Sequence, residues 1–220
     1  MKREIIITKD GSTTIHLPEW NESYHSKHGA IQEAKHVFIK NGLSLFNGKP
    51  VSVLEIGFGT GLNCFITFLE AQKMNQSVHY VGVEAYPIAK EEVQLLNYVN
   101  ELEAVEFSSV FDAMHTLDWD IQSKLTPTFE LTKRKQFFNE IDYKEQFDLI
   151  YFDAFGFTVQ PELWEEAIFR KMHTALKSNG VLVTYACRTV IKKAMEAVGF
   201  TTEKLPGAPG KREMLKAVKM

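Results

Sequence analysis

Two kinds of apolar spacing alternate along this chain. Short dense runs of Val, Leu, Ile, Tyr and Phe stand at residues 51–56, 78–83, 147–152 and 180–185. Runs of that length with almost no polar interruption predict strands buried on both faces. Between them apolar residues recur at three- and four-residue spacing: Phe65, Ile66, Phe68 and Leu69, then Val93, Leu95 and Leu96, then the stretches 160–177 and 190–198. That spacing predicts helices, and strand–helix alternation predicts a parallel sheet. Pro87 should open a helix over 88–98, and Pro161 a helix stopped by Ser178-Asn179-Gly180. The flanks differ. Residues 3–17 read as a hairpin about Asp10-Gly11, and Ile31, Ala34, Val37 and Phe38 share one face of a helix ending at Asn41-Gly42. Residues 201–205 and 213–218 read as a closing antiparallel pair. The pattern is faintest over 101–142, where a short helix near Phe111 and Met114 precedes a hairpin about Thr126-Pro127-Thr128.

Candidate chemistry gathers where predicted strands end. The first dense run leads through Glu55 into Gly57-x-Gly59-x-Gly61, then Asn63 and a helix. A dinucleotide fingerprint places a small residue where Leu62 stands, and here the third glycine comes one residue early. The triplet, with an acid just before it, has the spacing of class I S-adenosylmethionine methyltransferases. Such a loop faces a methionine sulfonium and a ribose, and Glu55 is suited to attract the cationic end of the ligand. The second strand ends at Glu84, about 20 residues beyond the loop, where an acid meets the ribose hydroxyls in nucleotide sites. Methyltransferases of this type usually hold the adenine amino group with an acid or amide after the third strand. Asn139 is the nearest candidate, with Glu140 and Asp142 as alternatives. The run 147–152 ends in Asp153-Ala154-Phe155, so Asp153 and Phe155 are expected in the cleft beyond the strand ends, unless Asp153 merely caps a helix.

Tyr24, Ser26 and Glu33 could turn toward the same ligand or belong to the solvated side of their helix. Lys211 and Arg212, beside a glycine turn, are candidates to hold a phosphate, although charged hairpin tips are commonly only solvated. Composition narrows the picture little: 220 residues, 45% hydrophobic and 24% charged, suit one domain with a small appendage. A net charge of −3 confines any RNA contact to a local basic patch. Cys64 and Cys187 match no metal-ligand spacing, so no metal is expected. No signal-type or membrane-spanning run is present, and the expected location is the cytoplasm.

Four segments together are far more specific than the glycine loop: YHSKHGAIQEAKHVF, VLEIGFGTGLN, FDLIYFDAFGFTVQPELW and GFTTEKLPGAPGKREMLKA. In this order they resemble the MnmC-like methyltransferase family, whose members complete 5-methylaminomethyl-2-thiouridine at the tRNA wobble position. The resemblance covers residues 24–220 apart from 101–142. It implies methyl transfer from S-adenosylmethionine to the amine of 5-aminomethyl-(2-thio)uridine in an anticodon loop. It further implies that Gly57, Gly59 and Gly61 form the cofactor loop with Glu84 on the ribose. Tyr24, Ser26 and Glu33 would border the methionine end, Asp153 and Phe155 would sit at the methyl acceptor, and Lys211 and Arg212 would lie near the RNA. Phe157 is a second candidate to stack on the base. Residues 188–193 (RTVIKK) depart from the family pattern, Thr189 replacing a glycine. Some members carry a fused oxidase that makes the amine. This chain reads as a stand-alone transferase fed by a separate enzyme.

The expected fold is therefore the class I methyltransferase fold. It is a Rossmann-like α/β domain with a mostly parallel seven-stranded sheet whose last strand is antiparallel, over residues 47–220, with a hairpin-and-helix appendage over 1–46. Two rivals remain: a spermidine-synthase-like aminopropyltransferase, and a non-catalytic adaptor that keeps the cofactor fold to bind RNA or protein. The Lys211-Arg212 loop argues against the first, and the intact acids Glu84 and Asp153 against the second.

Overall fold

The computed structural model describes residues 2–220. It opens with β1 (Glu4–Ile7), β2 (Thr13–Leu17) and β3 (Glu22–Ser23), an antiparallel sheet of three strands in that order. The hairpin about Asp10-Gly11 forms as expected, and Gly11 turns it at φ 87°. The two residues of β3 are too few to leave a periodic signature. Helix α1 (Ala30–Ala34) runs into a π-helical turn (Lys35–Lys40), and a 3₁₀ turn (Leu43–Phe46) leads to β4 (Val51–Ile56). Then follow α2 (Leu62–Lys73), β5 (Val78–Glu84), α3 (Lys90–Val93), α4 (Tyr98–Glu101), α5 (Ser108–Thr116), β6 (Gln122–Thr126) and β7 (Phe129–Lys135). The chain closes with β8 (Phe147–Phe152), α6 (Glu166–Ala175), β9 (Leu176–Thr184), α7 (Thr189–Ala197), β10 (Phe200–Pro206) and β11 (Glu213–Lys219).

The main sheet has the order β10-β11-β9-β8-β4-β5-β7-β6. Its five central strands, β9 to β7 in that order, pair in parallel, and β11 runs antiparallel to β9. These are the seven strands expected, and the hairpin at residues 127–128 adds an eighth, β6, antiparallel on the edge. Alternate side chains feed two cores. Val53, Leu149 and Tyr151 face Phe65 and Phe68 of α2, Phe111 of α5 and Phe38 of the π turn, whereas Leu54, Ile150 and Phe152 face Phe169 and Met172 of α6 and Met195 of α7. Both faces are thus covered, which is why β4, β5 and β8 read as largely apolar runs.

Two helix expectations change. Residues 88–98 form no continuous helix, because Asn97 is drawn to the N-terminal hairpin. Its Oδ1 accepts from the Thr13 amide at 2.8 Å and its Nδ2 donates to Gly11 O at 2.9 Å. Those bonds outweigh a weak local propensity and leave α3 and α4 as separate turns. The helix after Pro161 is a 3₁₀ turn (Pro161–Trp164) followed by α6, which ends at Ala175. Ser178-Asn179-Gly180 lies inside β9, where Asn179 at φ 63° accompanies a slip in pairing with β8. A turn tripeptide here marks a bulge and not a helix stop.

The chain leaves β4 on one side for β5 and returns on the other side as β8, so the sheet switches direction between β4 and β8. Crevices at such points bind ligands beyond the carboxyl ends of the strands. Phe58, in the turn after β4, lies flat against β5. A Cβ on Gly82 would stand 2.3 Å from its ring. Gly82→Ala should therefore destabilise the fold by about 1–3 kcal/mol through overpacking, read by urea unfolding. It should also push the glycine turn out of place.

Candidate active site

The glycine turn is shaped by what crosses it. Gly57 holds φ 91°, and a Cβ there would lie 2.6 Å from the Asp153 carbonyl oxygen. The ends of β4 and β8 therefore approach each other across a position that only glycine allows. The Asp153 amide donates to Ile56 O at 2.9 Å and closes the pair.

Asn63, in the first turn of α2, then joins the two acids. Its Nδ2 donates to Glu55 Oε1 at 2.9 Å and to Asp153 Oδ2 at 2.8 Å. The other Glu55 oxygen accepts from the Tyr80 hydroxyl at 2.8 Å. Burial pushes the Glu55 carboxyl well above the usual carboxylate range, against the pull of those two hydrogen bonds. Burial likewise raises Asp153 to about 7, helped by the charge of Glu33 and opposed by the Asn63 bond and by Lys211. With both amide hydrogens spent on carboxylates, Asn63 Oδ1 is left buried without a partner.

These groups close one end of a cleft of about 1080 Å³. Ligand pockets usually span roughly 300–1,000 Å³, so this one has room for a nucleoside cofactor and part of an acceptor. Of the expected site residues, the fold brings Tyr24, Gly57, Gly59, Asn63, Glu84, Asn139, Asp153 and Phe155 to its wall. Glu84 accepts from the Gly59 amide at 3.0 Å and from the Tyr86 amide at 2.9 Å, and each oxygen keeps a further lone pair for a hydroxyl.

Others fall elsewhere. Glu55 is fully buried behind Asn63 and does not reach the cleft, so a direct attraction for a cationic ligand gives way to support of Asn63. Gly61 caps α2 at φ 73° with His115 behind it, also off the wall. Ser26 and Glu33 lie outside the lining: the Ser26 amide donates to Glu33 Oε2 at 2.9 Å, and Glu33 is buried in an ion pair with Lys211. Lys211 also sits 3.8 Å from the Tyr185 ring centroid. It is therefore committed to internal partners and is not a free phosphate ligand. Arg212 is exposed and outside the cleft. Phe157 lies in a separate groove beside Trp164 and Val190, with the Arg188 guanidinium 5.4 Å from its ring.

Several wall residues had not been singled out. Arg3 reaches over from the N-terminus to Tyr86 O at 2.8 Å and Glu92 at 3.0 Å. Trp20, His25 and Tyr185 line the acceptor side with Gln160 and Glu162. Burial holds His25 down at about 4, so it is neutral at pH 7. The wall carries five carboxylates (Glu84, Glu92, Asp153, Glu162, Glu165) against one guanidinium, Arg3. Such a cleft draws cations.

A nucleoside-binding α/β fold with an acidic cleft at its switch point defines a nucleotide-dependent transferase in outline, and comparison with known proteins supplies the particular class. Residues 101–220 match a family model described as S-adenosyl-L-methionine-dependent methyltransferase, and the chain belongs to this family. It is 30% identical over 211 residues to the bifunctional tRNA 5-methylaminomethyl-2-thiouridine biosynthesis protein MnmC of Leptospira borgpetersenii serovar Hardjo-bovis, across 89% of this chain and 32% of that protein. The chain thus spans about a third of the length of such relatives. Among solved structures, MNMC2 from Aquifex aeolicus superposes with a TM-score of 0.79 at 21% identity, covering 100% of this chain and 70% of that one. Spermidine synthase from Thermotoga maritima follows at 0.61 and 14% identity, covering 99% and 69%. Both structural likenesses bear on the fold alone. The cofactor is S-adenosylmethionine, and the wall fits it: Gly57 and Gly59 present bare backbone, and Glu84 keeps open lone pairs for hydroxyls.

The raised acid has a sign that can be checked. Below pH 3.8 Asp153 is protonated whether folded or not, and between about 4 and about 7 the unfolded chain ionises it while the folded one resists. Stability contributed by this group is thus lost as pH rises through that window. The melting temperature of wild type relative to Asp153→Asn should fall from pH 4 to pH 7.

Proposed function

We propose that this protein N-methylates the 5-aminomethyl group of a wobble uridine, with or without 2-thiolation, in the anticodon loop of tRNA. The single observation that carries the reading is Asp153, an acid raised to about 7, standing at the cleft end of β8 beside Phe155. The 30% identity to a protein that makes 5-methylaminomethyl-2-thiouridine supports the substrate class. Bound S-adenosylmethionine supplies a methyl group activated on a sulfonium.

In this reading the protein divides the labour by place. Gly57 and Gly59 would let the cofactor lie against bare backbone, and Glu84 would accept from its ribose. Asn139, exposed on the same wall, is the candidate for the adenine edge. Tyr24 closes the turn: a Cβ on Gly59 would lie 3.2 Å from its ring. Glu33 and Lys211 act through Asp153 and Tyr185 from behind the wall. The N-terminal 46 residues then work as part of the methyltransferase site and not as a detachable appendage.

The acceptor amine must be neutral to attack. An alkylamine of pKa about 10.4 costs roughly 4–5 kcal/mol to deprotonate at pH 7. Asp153 orients the ammonium by charge and takes its proton as the nitrogen turns nucleophilic. An acid at about 7 accepts that proton far more readily than one at 3.8, and this is what burial of Asp153 achieves. Holding amine and methyl donor in line contributes further, up to roughly 7–11 kcal/mol. A separate enzyme that supplies the amine is the natural companion.

A second reading, aminopropyl transfer, gains from two observations. Five carboxylates on the wall suit a polyamine, and Lys211 is neutralised by Glu33, so it does not repel one. The relatives that align along nearly the whole chain favour methylation. Incubation with labelled S-adenosylmethionine and tRNA from a strain lacking the modification, followed by nucleoside analysis, should yield 5-methylaminomethyl-uridine. Label in a polyamine, obtained only with the decarboxylated cofactor, would replace this reading with the second.

Two mutational outcomes follow from the roles. Asp153→Asn should lower kcat by about 10²–10⁴-fold and abolish the fall in kcat/KM below pH 7, with cofactor affinity measured separately by calorimetry. Glu84→Ala should weaken S-adenosylmethionine binding by roughly tenfold or more while the RNA affinity stays the same.

A further inference from the structure

Phe155 is the aromatic that the chain order places beside Asp153, but its ring is already engaged. Trp20 meets it edge-to-face at 5.7 Å and 85°, and Tyr24 does so at 5.1 Å and 88°. The outermost member of this cluster is Trp20, 37% exposed, in the turn between β2 and β3 and on the cleft wall. The turn is held by the Trp20 amide on Leu17 O at 3.2 Å and the Asn21 amide on Pro18 O at 3.2 Å, with Asn21 at φ 48°. An indole fixed at its backbone and braced along one side by Phe155 is a rigid surface at the mouth of the acceptor end.

Gln160 lines the same cleft. Its amide nitrogen donates to Gly156 O at 3.1 Å, which folds the segment after Asp153 back over the cleft. Its side-chain amide makes no hydrogen bond among the described residues and lies on the wall with Asp153, Phe155 and Trp20. A primary amide offers one acceptor and two donors. The edge of a uracil next to its C5 substituent offers the complement, a carbonyl at C4 and an N–H at N3. A ring stacked on Trp20 with its C5 arm toward Asp153 turns that edge to the wall.

We propose that Trp20 and Gln160 form the acceptor-base subsite: Trp20 stacks on the flipped pyrimidine, and Gln160 pairs with its O4 and N3–H. This rests on the nucleobase reading above and deepens it. Phe155 then serves to brace Trp20. Base stacking on an aromatic is the usual means by which single-stranded RNA is held, and the amide adds selection for a pyrimidine with a free N3–H.

The test uses the full chain and a synthetic anticodon stem–loop bearing 5-aminomethyluridine at the wobble position. Titration should quench the part of the tryptophan fluorescence that Trp20→Phe removes. That difference isolates Trp20 from Trp119 and Trp164. Trp20→Ala should lower kcat/KM for the RNA by roughly tenfold, mainly through KM, with S-adenosylmethionine affinity unchanged, and Trp20→Phe should restore most of it. Methylating N3 of the target uridine should lower wild-type kcat/KM by roughly tenfold, whereas Gln160→Leu should show the lower value with either RNA. Absence of Trp20-dependent quenching, or an N3-methyl effect that persists undiminished in Gln160→Leu, overturns the subsite. Quenching without methyl transfer supports the subsite and overturns the methyltransferase reading, so the two failures are distinct.

Discussion

One side-chain amide, Asn63, joins a buried acid and a cleft-wall acid that would otherwise repel each other. Glu55 ends β4 and Asp153 follows β8, the two strands between which the sheet changes direction. Glu55 is fully buried, Asp153 borders the cleft, and each accepts from the same nitrogen. The arrangement can exist only because Gly57 leaves space for the Asp153 carbonyl, and because α2 starts at once after the glycine turn and delivers Asn63 to the gap. A buried acid linked in this way is not well used as a strut, since an apolar pair would cost less. Its effect is a proton affinity near neutrality on the cleft wall.

The N-terminal sheet supplies the other half of the site. Trp20, Tyr24 and His25 line the cleft with the glycine turn, and Arg3 ties this wall to the loop after Glu84 through Tyr86 and Glu92. The Asn97 bonds to Gly11 and Thr13 fasten the same sheet from below. Residues far apart in the chain therefore enclose the cleft, and the parallel sheet by itself would leave it open on one side.

Charge gives the cleft its direction. The wall is rich in carboxylates, and the two nearby basic groups that could cancel them are spent: Arg3 on Glu92, and Lys211 on Glu33. A chain whose net charge is only −3 thus presents a locally acidic crevice, fitted to a sulfonium and an ammonium.

Much of this was legible in the residues. Runs such as 51–56 and 147–152 are mostly apolar because both sheet faces are covered, and that pattern survives any rearrangement of loops. Gly57-x-Gly59-x-Gly61, Glu84 and Asp153 follow strand ends, so their convergence follows from parallel topology. What could not be read were the choices made by distant partners. Asn97 broke a helix to bind the hairpin, Glu55 withdrew behind Asn63, Lys211 turned inward to Glu33, and Trp20 moved from an unremarked turn to the mouth of the cleft. The dense runs as strands, and the placing of Glu84 and Asp153 at strand ends, follow from local periodicity and strand–helix alternation, which the sequence by itself determined. The strand order is a fact of the structure. Which polar groups face the ligand was decided only in the tertiary structure, because each buried charge must find its partner and few of those partners are neighbours in the chain.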